Sequence, residues 1–417
     1  MKSCYISRSK VVIFSLVTIV WLCSVICNSC NSDNNFPLVI HSNGKQFAGS
    51  ESCKSCHKNI VESHVSTGHF HSSQPASASS VKGNFDSGKN VFNLNAHVKV
   101  VMEKTPGGLF QVVYINGREA GRLSMDIVIG YAKGQTYLYW HGDKLFQLPI
   151  SYYPPLDEWC NSPGFPTDKI LVDRPISVRC LECHTTNFKK TGAVNDDNSY
   201  DKSQVIYGVD CERCHGPAAE HVSYQAAHPE ETTAKFIINP ARLSRQQKLD
   251  NCALCHSGLR ENSKPSFSFV AGDKLDDYST PDYKPDSTGK LDVHGNQYGL
   301  LTASKCFKLS KMDCSSCHNV HVNETNNVAV FSQRCVNCHN NTSHTFCKQP
   351  PTPGLVLKNN CIDCHMPALP SKKIFLEMEN RARSTSDLLR THLIAIYKDQ
   401  TKIYLQKIKK ESVITKN

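Results

Sequence analysis

The sequence predicts a mainly α chain with extensive loops, built on a repeated cysteine motif and interrupted by an inserted antiparallel β module at about residues 85–153. Three observations lead there. The pentapeptide Cys-x-x-Cys-His occurs seven times. The long interval between His57 and Cys180 lacks it and is instead rich in β-branched and aromatic residues. Only 39% of the 417 residues are hydrophobic, with a mean hydropathy of −0.39, which is lean for one large side-chain core.

Residues 1–30 read as an export segment. Lys2, Arg8 and Lys10 precede the apolar run Val11 to Ile26, and polar residues follow at once. A cleaved signal is favoured over an uncleaved anchor, because the run is close to the short limit of about 17–25 residues that a span needs. Cys27 and Cys30 stand where a bacterial lipoprotein signal is cut; Ser29 before Cys30 suits that cleavage and Ile26 before Cys27 does not. The residues upstream fit a strict lipobox poorly.

Residues 31–84 hold the first motif and a helix-like stretch, Lys58 to Phe70. Residues 85–155 hold the β module, with strand-like segments Val91–Leu94, His97–Met102, Phe110–Ile115, Asp126–Ile129 and Thr136–Trp140. Turn signals separate them at Thr105-Pro-Gly-Gly, Asn116-Gly and His141-Gly-Asp. Such a module would serve as a docking face or as a lid over the first motif. Six motifs crowd into residues 156–372, where short helices and loops are expected, and Asp273 to Lys290 reads as an exposed loop. Residues 373–417 form a C-terminal segment: 386–408 carry His392 back toward the array and lead into a helix, and Lys409 to Asn417 are a basic tail.

The motif's spacing is dictated by chemistry. Two thiols three residues apart can each bond one vinyl group of a single porphyrin, and the histidine directly after them falls beneath the iron as axial ligand. The thiol pairs are Cys53 and Cys56, Cys180 and Cys183, Cys211 and Cys214, Cys252 and Cys255, Cys314 and Cys317, Cys335 and Cys338, and Cys361 and Cys364. The proximal histidines are His57, His184, His215, His256, His318, His339 and His365. Zinc sites have no reason to place His after every pair, redox dithiols usually occur once, and a disulfide framework needs no identical pentapeptides. Seven copies behind an export segment point to seven covalent haem c groups, whose bulk would fill the lean interior.

Of the 19 histidines, twelve remain as possible distal ligands. The favoured seven are His64, His69, His221, His294, His321, His344 and His392, several of them beside motifs they cannot cap themselves and so placed to reach a neighbour. His41, His71, His97, His141 and His228 are less favoured. Two histidines on one iron give a low-spin, six-coordinate, low-potential centre suited to electron transfer, whereas an open position suits substrate chemistry. Cys306 and Cys347 flank the fifth and sixth motifs and could close a disulfide; Cys160 has no evident partner.

The formal charge of +10 invites a nucleic-acid reading. Losing the signal removes three positive charges, and each ferric haem adds about −1 through its propionates, which brings the loaded protein near neutrality. The lysines and arginines are better read as propionate partners and solvated surface than as a nucleic-acid footprint.

The array resembles the multihaem cytochromes c of the cytochrome c-554 and hydroxylamine-oxidoreductase-like group. The carrying residues are Cys53–His57 with Thr67-Gly-His69, Cys211-Glu-Arg-Cys-His-Gly-Pro to His221, Cys314-Ser-Ser-Cys-His-Asn-Val-His321, and Cys361-Ile-Asp-Cys-His-Met-Pro367. The resemblance spans roughly residues 50–395 and implies closely stacked, mostly bis-His haems. The chain departs from catalytic members in lacking the Cys-x-x-Cys-Lys variant of cytochrome c nitrite reductases and in its β module. The favoured function is an exported carrier, periplasmic or a membrane-anchored lipoprotein in an oxidising compartment, passing electrons between donor and acceptor proteins such as a quinol-oxidising complex. The alternative is a reductase of a small nitrogen or sulfur oxyanion at one five-coordinate haem. A third reading is a structural subunit docked into a respiratory complex by the β module.

Overall fold

The computed structural model describes residues 38–193, 196, 198–282, 291–340, 342, 346–350, 355–378 and 385–414. The export segment with Cys27 and Cys30, candidate ligand His344, and the end of the basic tail lie outside the described residues.

Alternation of apolar and polar residues builds the sheets that follow the first motif. Strands β1 (Ser73–Pro75), β2 (Val91–Asn93), β3 (Val98–Thr105), β4 (Gly108–Ile115), β5 (Arg118–Ser124) and β6 (Ile127–Ile129) come first. Strands β7 (Thr136–His141), β8 (Lys144–Gln147), β9 (Ile150–Tyr153), β10 (Glu158–Asn161) and β11 (Arg174–Pro175) follow. A four-stranded sheet runs β2-β3-β4-β5, and a five-stranded sheet runs β1-β6-β7-β8-β11, all antiparallel. The β4–β5 hairpin turns on Asn116 and Gly117, both at positive φ, as a tight turn matched to strand twist requires.

The five-stranded sheet separates two cores, because successive side chains point to opposite faces. Val128 and Tyr137 join Val100, Met102, Val113, Leu148, Ile150, Tyr152 and Trp159 on one side. Their neighbours Ile127 and Leu138 join Leu145, Ile176, Leu181, Phe188 and Tyr200 on the other. Leu181 is a variable residue of the second motif, so this sheet seats that motif directly.

The expectation of a mainly α chain is wrong: the protein is 30% helical and 26% strand, with six antiparallel sheets among the described residues. The sheets are not confined to the module. β1 and β11 extend the five-stranded sheet beyond it, and three hairpins lie among the later motifs: β12 (Thr185–Lys190) with β13 (Tyr200–Tyr207), β14 (Arg260–Asn262) with β15 (Ser279–Pro281), and β16 (Ala368–Leu376) with β17 (Thr385–Arg390). The physical reason is that several motif helices are only one or two turns long. The connecting backbone must satisfy its own hydrogen bonds, and it does so by pairing. The segment from Asp273, read as an exposed loop, contains β15, and its Leu275 is buried against Ala253, Leu254 and Phe269.

Candidate haem array

Helix geometry sets each motif. In an α-helix residues three and four apart share a face, so Cys, Cys and His of one pentapeptide present together when they form a terminal turn. The second motif ends helix α2 (Val178–His184), after α1 (Ser50–His64). The third is α3 (Cys211–His215), which precedes α4 (Ala219–Ala227). The fourth ends α5 (Arg245–His256), followed by α6 (Gln297–Ala303) and α7 (Lys305–Lys308). The sixth begins in α8 (Val328–Val336) and the seventh is α9 (Cys361–His365). The fifth forms a 3-10 turn, Cys314–Ser316, capped by Asp313. The first lies inside α1, where His57 breaks helical geometry with φ −113 and ψ 36.

The motifs touch one another in a definite pattern. The thiols of Cys53 and Cys211 are electrostatic neighbours, as are Cys183 with Cys255, Cys252 with Cys314, and Cys335 with Cys361. Independent contacts support this pattern. Glu212 of the third motif accepts the amides of Ala48 and Gly49, just before α1, at 2.8 and 2.9 Å. Arg179 of α2 donates to the Leu254 carbonyl in the fourth motif at 2.9 Å. Arg334 of α8 donates to the Cys317 carbonyl in the fifth at 2.6 Å. The sequence of contacts therefore runs first, third, fourth, fifth, sixth, seventh. Cys214 and Cys252 are electrostatic neighbours that join the third motif to the fourth, and the second motif contacts both, the third through Arg213 and Glu182 and the fourth through Arg179 and Leu254.

The histidines fall into pairs. An imidazole nitrogen binds a metal at about 2 Å, so two rings on opposite faces of one iron have centroids about 6 Å apart. His215 and His321 stand at 6.2 Å with planes 20° apart, His318 and His392 at 6.2 Å and 23°, and His69 and His256 at 6.1 Å and 61°. His294 is an electrostatic neighbour of His184. His221 is half-buried near His215 and has its Nδ1 2.8 Å from the Lys235 carbonyl. His64 lies 6.3 Å from His321, but its Nε2 faces the Val209 carbonyl at 3.2 Å and its Nδ1 the Val320 carbonyl at 3.4 Å. Of the less favoured five, His41 is buried, His71 stacks on Tyr131 at 4.4 Å, and His141 ends β7 at the turn to β8.

The electrostatics suit ligation. Burial pushes His69, His184 and His392 down to about 4, so the rings are neutral near pH 7, as ligands must be. His215 and His365 point Nδ1 at the carbonyls of Ile238 and Ala395, both at 2.9 Å. As donors there, they leave Nε2 for a metal. The buried Nδ1 of His392 has no protein partner. Burial also pushes the His256 imidazole below its ordinary value, against the opposing hydrogen bond from Gln297. The donor set fits haem c.

Residues 168–216, which contain the second and third motifs, match the family model described as cytochrome c554 and c-prime. Over these residues the chain is similar to a family of multihaem cytochromes c. The crystal structure of outer cell wall cytochrome OcwA aligns with 86% of this chain and 81% of its own, at 17% identity and a TM-score of 0.49. No curated protein matches the chain. The matched family implies covalently bound haem c.

The residues between the paired cysteines also carry structural roles. Glu182 is buried, accepts the Phe267 amide at 2.7 Å and pairs with Arg179 at 2.6 Å, while Arg213 donates to the Glu182 carbonyl at 2.9 Å. Asp363 takes Arg390 at 2.9 Å, and the same guanidinium binds the Ile362 and Met366 carbonyls. Acids inside Cys-x-x-Cys were the available signal for these roles. Gly208, at φ +68, lets the backbone before the third motif pass Phe70; a Cβ there would lie 2.2 Å from the Phe70 carbonyl oxygen. Cys306 and Cys347 are free thiols, so the disulfide considered between them is not formed. Cys306 neighbours Cys317, and Cys347 neighbours Cys364. Cys160 is buried with Leu376 and Met378, and burial pushes its thiol up to about 12.

Proposed function

We propose that the protein is a heptahaem electron-transfer cytochrome, with the seven thiol pairs as haem anchors and their histidines as proximal ligands. When bound, the haems supply one-electron chemistry. The observation that carries this reading is the succession of motif contacts from the first to the seventh, with the second set beside the third and fourth. Cysteines bond the rim of their own porphyrin, so neighbouring thiols would hold the rims of two haems near each other. His321, His69 and His392 are assigned as distal ligands of the third, fourth and fifth motifs, and His294 of the second. The basic and then apolar N-terminus supports export to an oxidising compartment, either periplasmic or lipid-anchored, between donor and acceptor proteins.

One observation favours a second reading at the first motif. Both ring nitrogens of His64, a candidate ligand on the helix of the first motif, face backbone carbonyls. A five-coordinate haem there could reduce a small nitrogen or sulfur oxyanion. Pyridine haemochrome assay and EPR of the oxidised protein separate the two. Seven haems with only low-spin signals support the carrier; one stoichiometric high-spin ferric signal would overturn it in favour of the reductase.

A further inference from the structure

The succession of contacts ends at the seventh motif, and what surrounds that end differs from the rest of the surface. Helix α10 (Lys398–Ile414) is fastened there. Asn360 donates to the Tyr404 hydroxyl at 2.8 Å, and Thr401 is a neighbour of the Cys364 thiol. Ala395, just before the helix, exchanges two hydrogen bonds with His365, one to its ring and one to its carbonyl. The half-buried residues Thr401, Tyr404, Leu405 and Ile408 form one stripe at helical spacing.

The exposed surface of α10, beside and opposite that stripe, is strongly basic. The helix has five lysines, Lys398, Lys402, Lys407, Lys409 and Lys410, all exposed, against two acids, Asp399 and Glu411. Ile403 is 66% exposed on the same surface, and Ile396, just before the helix, is 78% exposed. The apolar component is too narrow to seat the helix in a lipid interface, which needs a broad apolar face. Lysines around a small apolar centre do suit a transient protein contact. Charge steers the encounter and the interface stays small enough to release.

We propose that this face of α10 is the docking surface for a redox protein with an acidic face, and that electrons enter or leave through the seventh motif beneath it. This rests on the seventh motif carrying haem, as in the reading above.

The test uses the holoprotein and a triple variant, Lys398→Glu, Lys402→Glu and Lys410→Glu, at exposed positions outside the haem-binding set. Reduced flavodoxin serves as an acidic one-electron probe, and a neutral hydroquinone as an uncharged control. Flavodoxin should reduce the variant about tenfold more slowly at low salt, with a flattened ionic-strength dependence. The hydroquinone rate and the visible spectrum should not change. An unchanged flavodoxin rate would overturn the docking proposal while leaving the haem reading intact. So would lysine-dependent binding to phosphatidylglycerol vesicles with flavodoxin reduction unaffected, because the face would then serve a membrane. Absence of haem from the proteolytic peptide holding Cys361 and Cys364 would instead overturn the reading of the motif, and the docking proposal with it.

Discussion

Glu212 shows how much a single variable residue contributes to this array. Its Oε1 accepts the amides of Ala48 and Ala218 at 2.8 and 2.7 Å, and its Oε2 accepts that of Gly49 at 2.9 Å. Burial pushes the carboxyl above its ordinary value, and the three amide bonds oppose that rise. A glutamine can accept at one oxygen only and would turn an NH2 toward one of these donors. Glu212→Gln should therefore cost about 1–3 kcal/mol, read as a lower denaturation midpoint with haem content unchanged. A midpoint equal to that of the parent would sink the assignment. At this scale the sequence was most legible where covalent chemistry fixes spacing: two vinyl groups and one iron demand Cys-x-x-Cys-His wherever it occurs. The long-range histidine partners were not legible. His321 stands three residues from His318, yet its ring lies against His215 from the third motif. Only the folded path of the chain sets that distance.

Between elements, the turn that holds the fifth motif is clamped to α8 by one ion pair. Arg334 meets Glu324 through both of its terminal nitrogens, one contact at 2.8 Å, and also binds the Cys317 carbonyl. The guanidinium holds the Glu324 carboxyl below its ordinary value, and the Asn319 amide adds to this. The sign follows from the depressed value. The clamp is fully present above the unfolded carboxylate value of about 4.3 and is lost as pH falls through the lower folded value. The side chains are 22% and 15% exposed, so solvent screens the pair in part. Glu324→Gln should cost about 1–2 kcal/mol near neutrality. The gap in thermal midpoint between parent and variant should then close as pH drops below about 4. A gap that persists unchanged into acid would show that the carboxylate charge is not what holds the turn. Alternation in the sequence marked several of the β-module strands, with ends moved by a few residues. It did not mark the hairpins among the later motifs: β14 and β15 are three residues each and carry too few alternations to register.

For the whole molecule, the predicted class failed in an instructive way. Counting motif helices overestimated helix, because a motif needs only one terminal turn, and the chain between motifs had to find its hydrogen bonds elsewhere. The order of contacts was likewise invisible in the sequence, since the first motif touches the third across about 150 residues. That order makes a prediction that simple proximity along the chain does not. Removing the second motif's anchors, Cys180→Ser with Cys183→Ser, deletes a motif set beside the third and fourth and leaves the succession from first to seventh intact. Removing the fifth motif's anchors, Cys314→Ser with Cys317→Ser, separates the first four motifs from the last two. With substoichiometric reductant, the second-motif variant should redistribute electrons among its haems as one population. The fifth-motif variant should show a fast phase confined to one group and a much slower exchange between groups, followed by stopped-flow absorbance and freeze-quench EPR. Haem counts reduced by one and cooperative unfolding in both variants would establish that each is otherwise whole. If the fifth-motif variant equilibrates as fast as the parent, electrons have a route around that motif and the linear order is wrong. If the second-motif variant is the one that splits, the second motif belongs to the succession and not beside it.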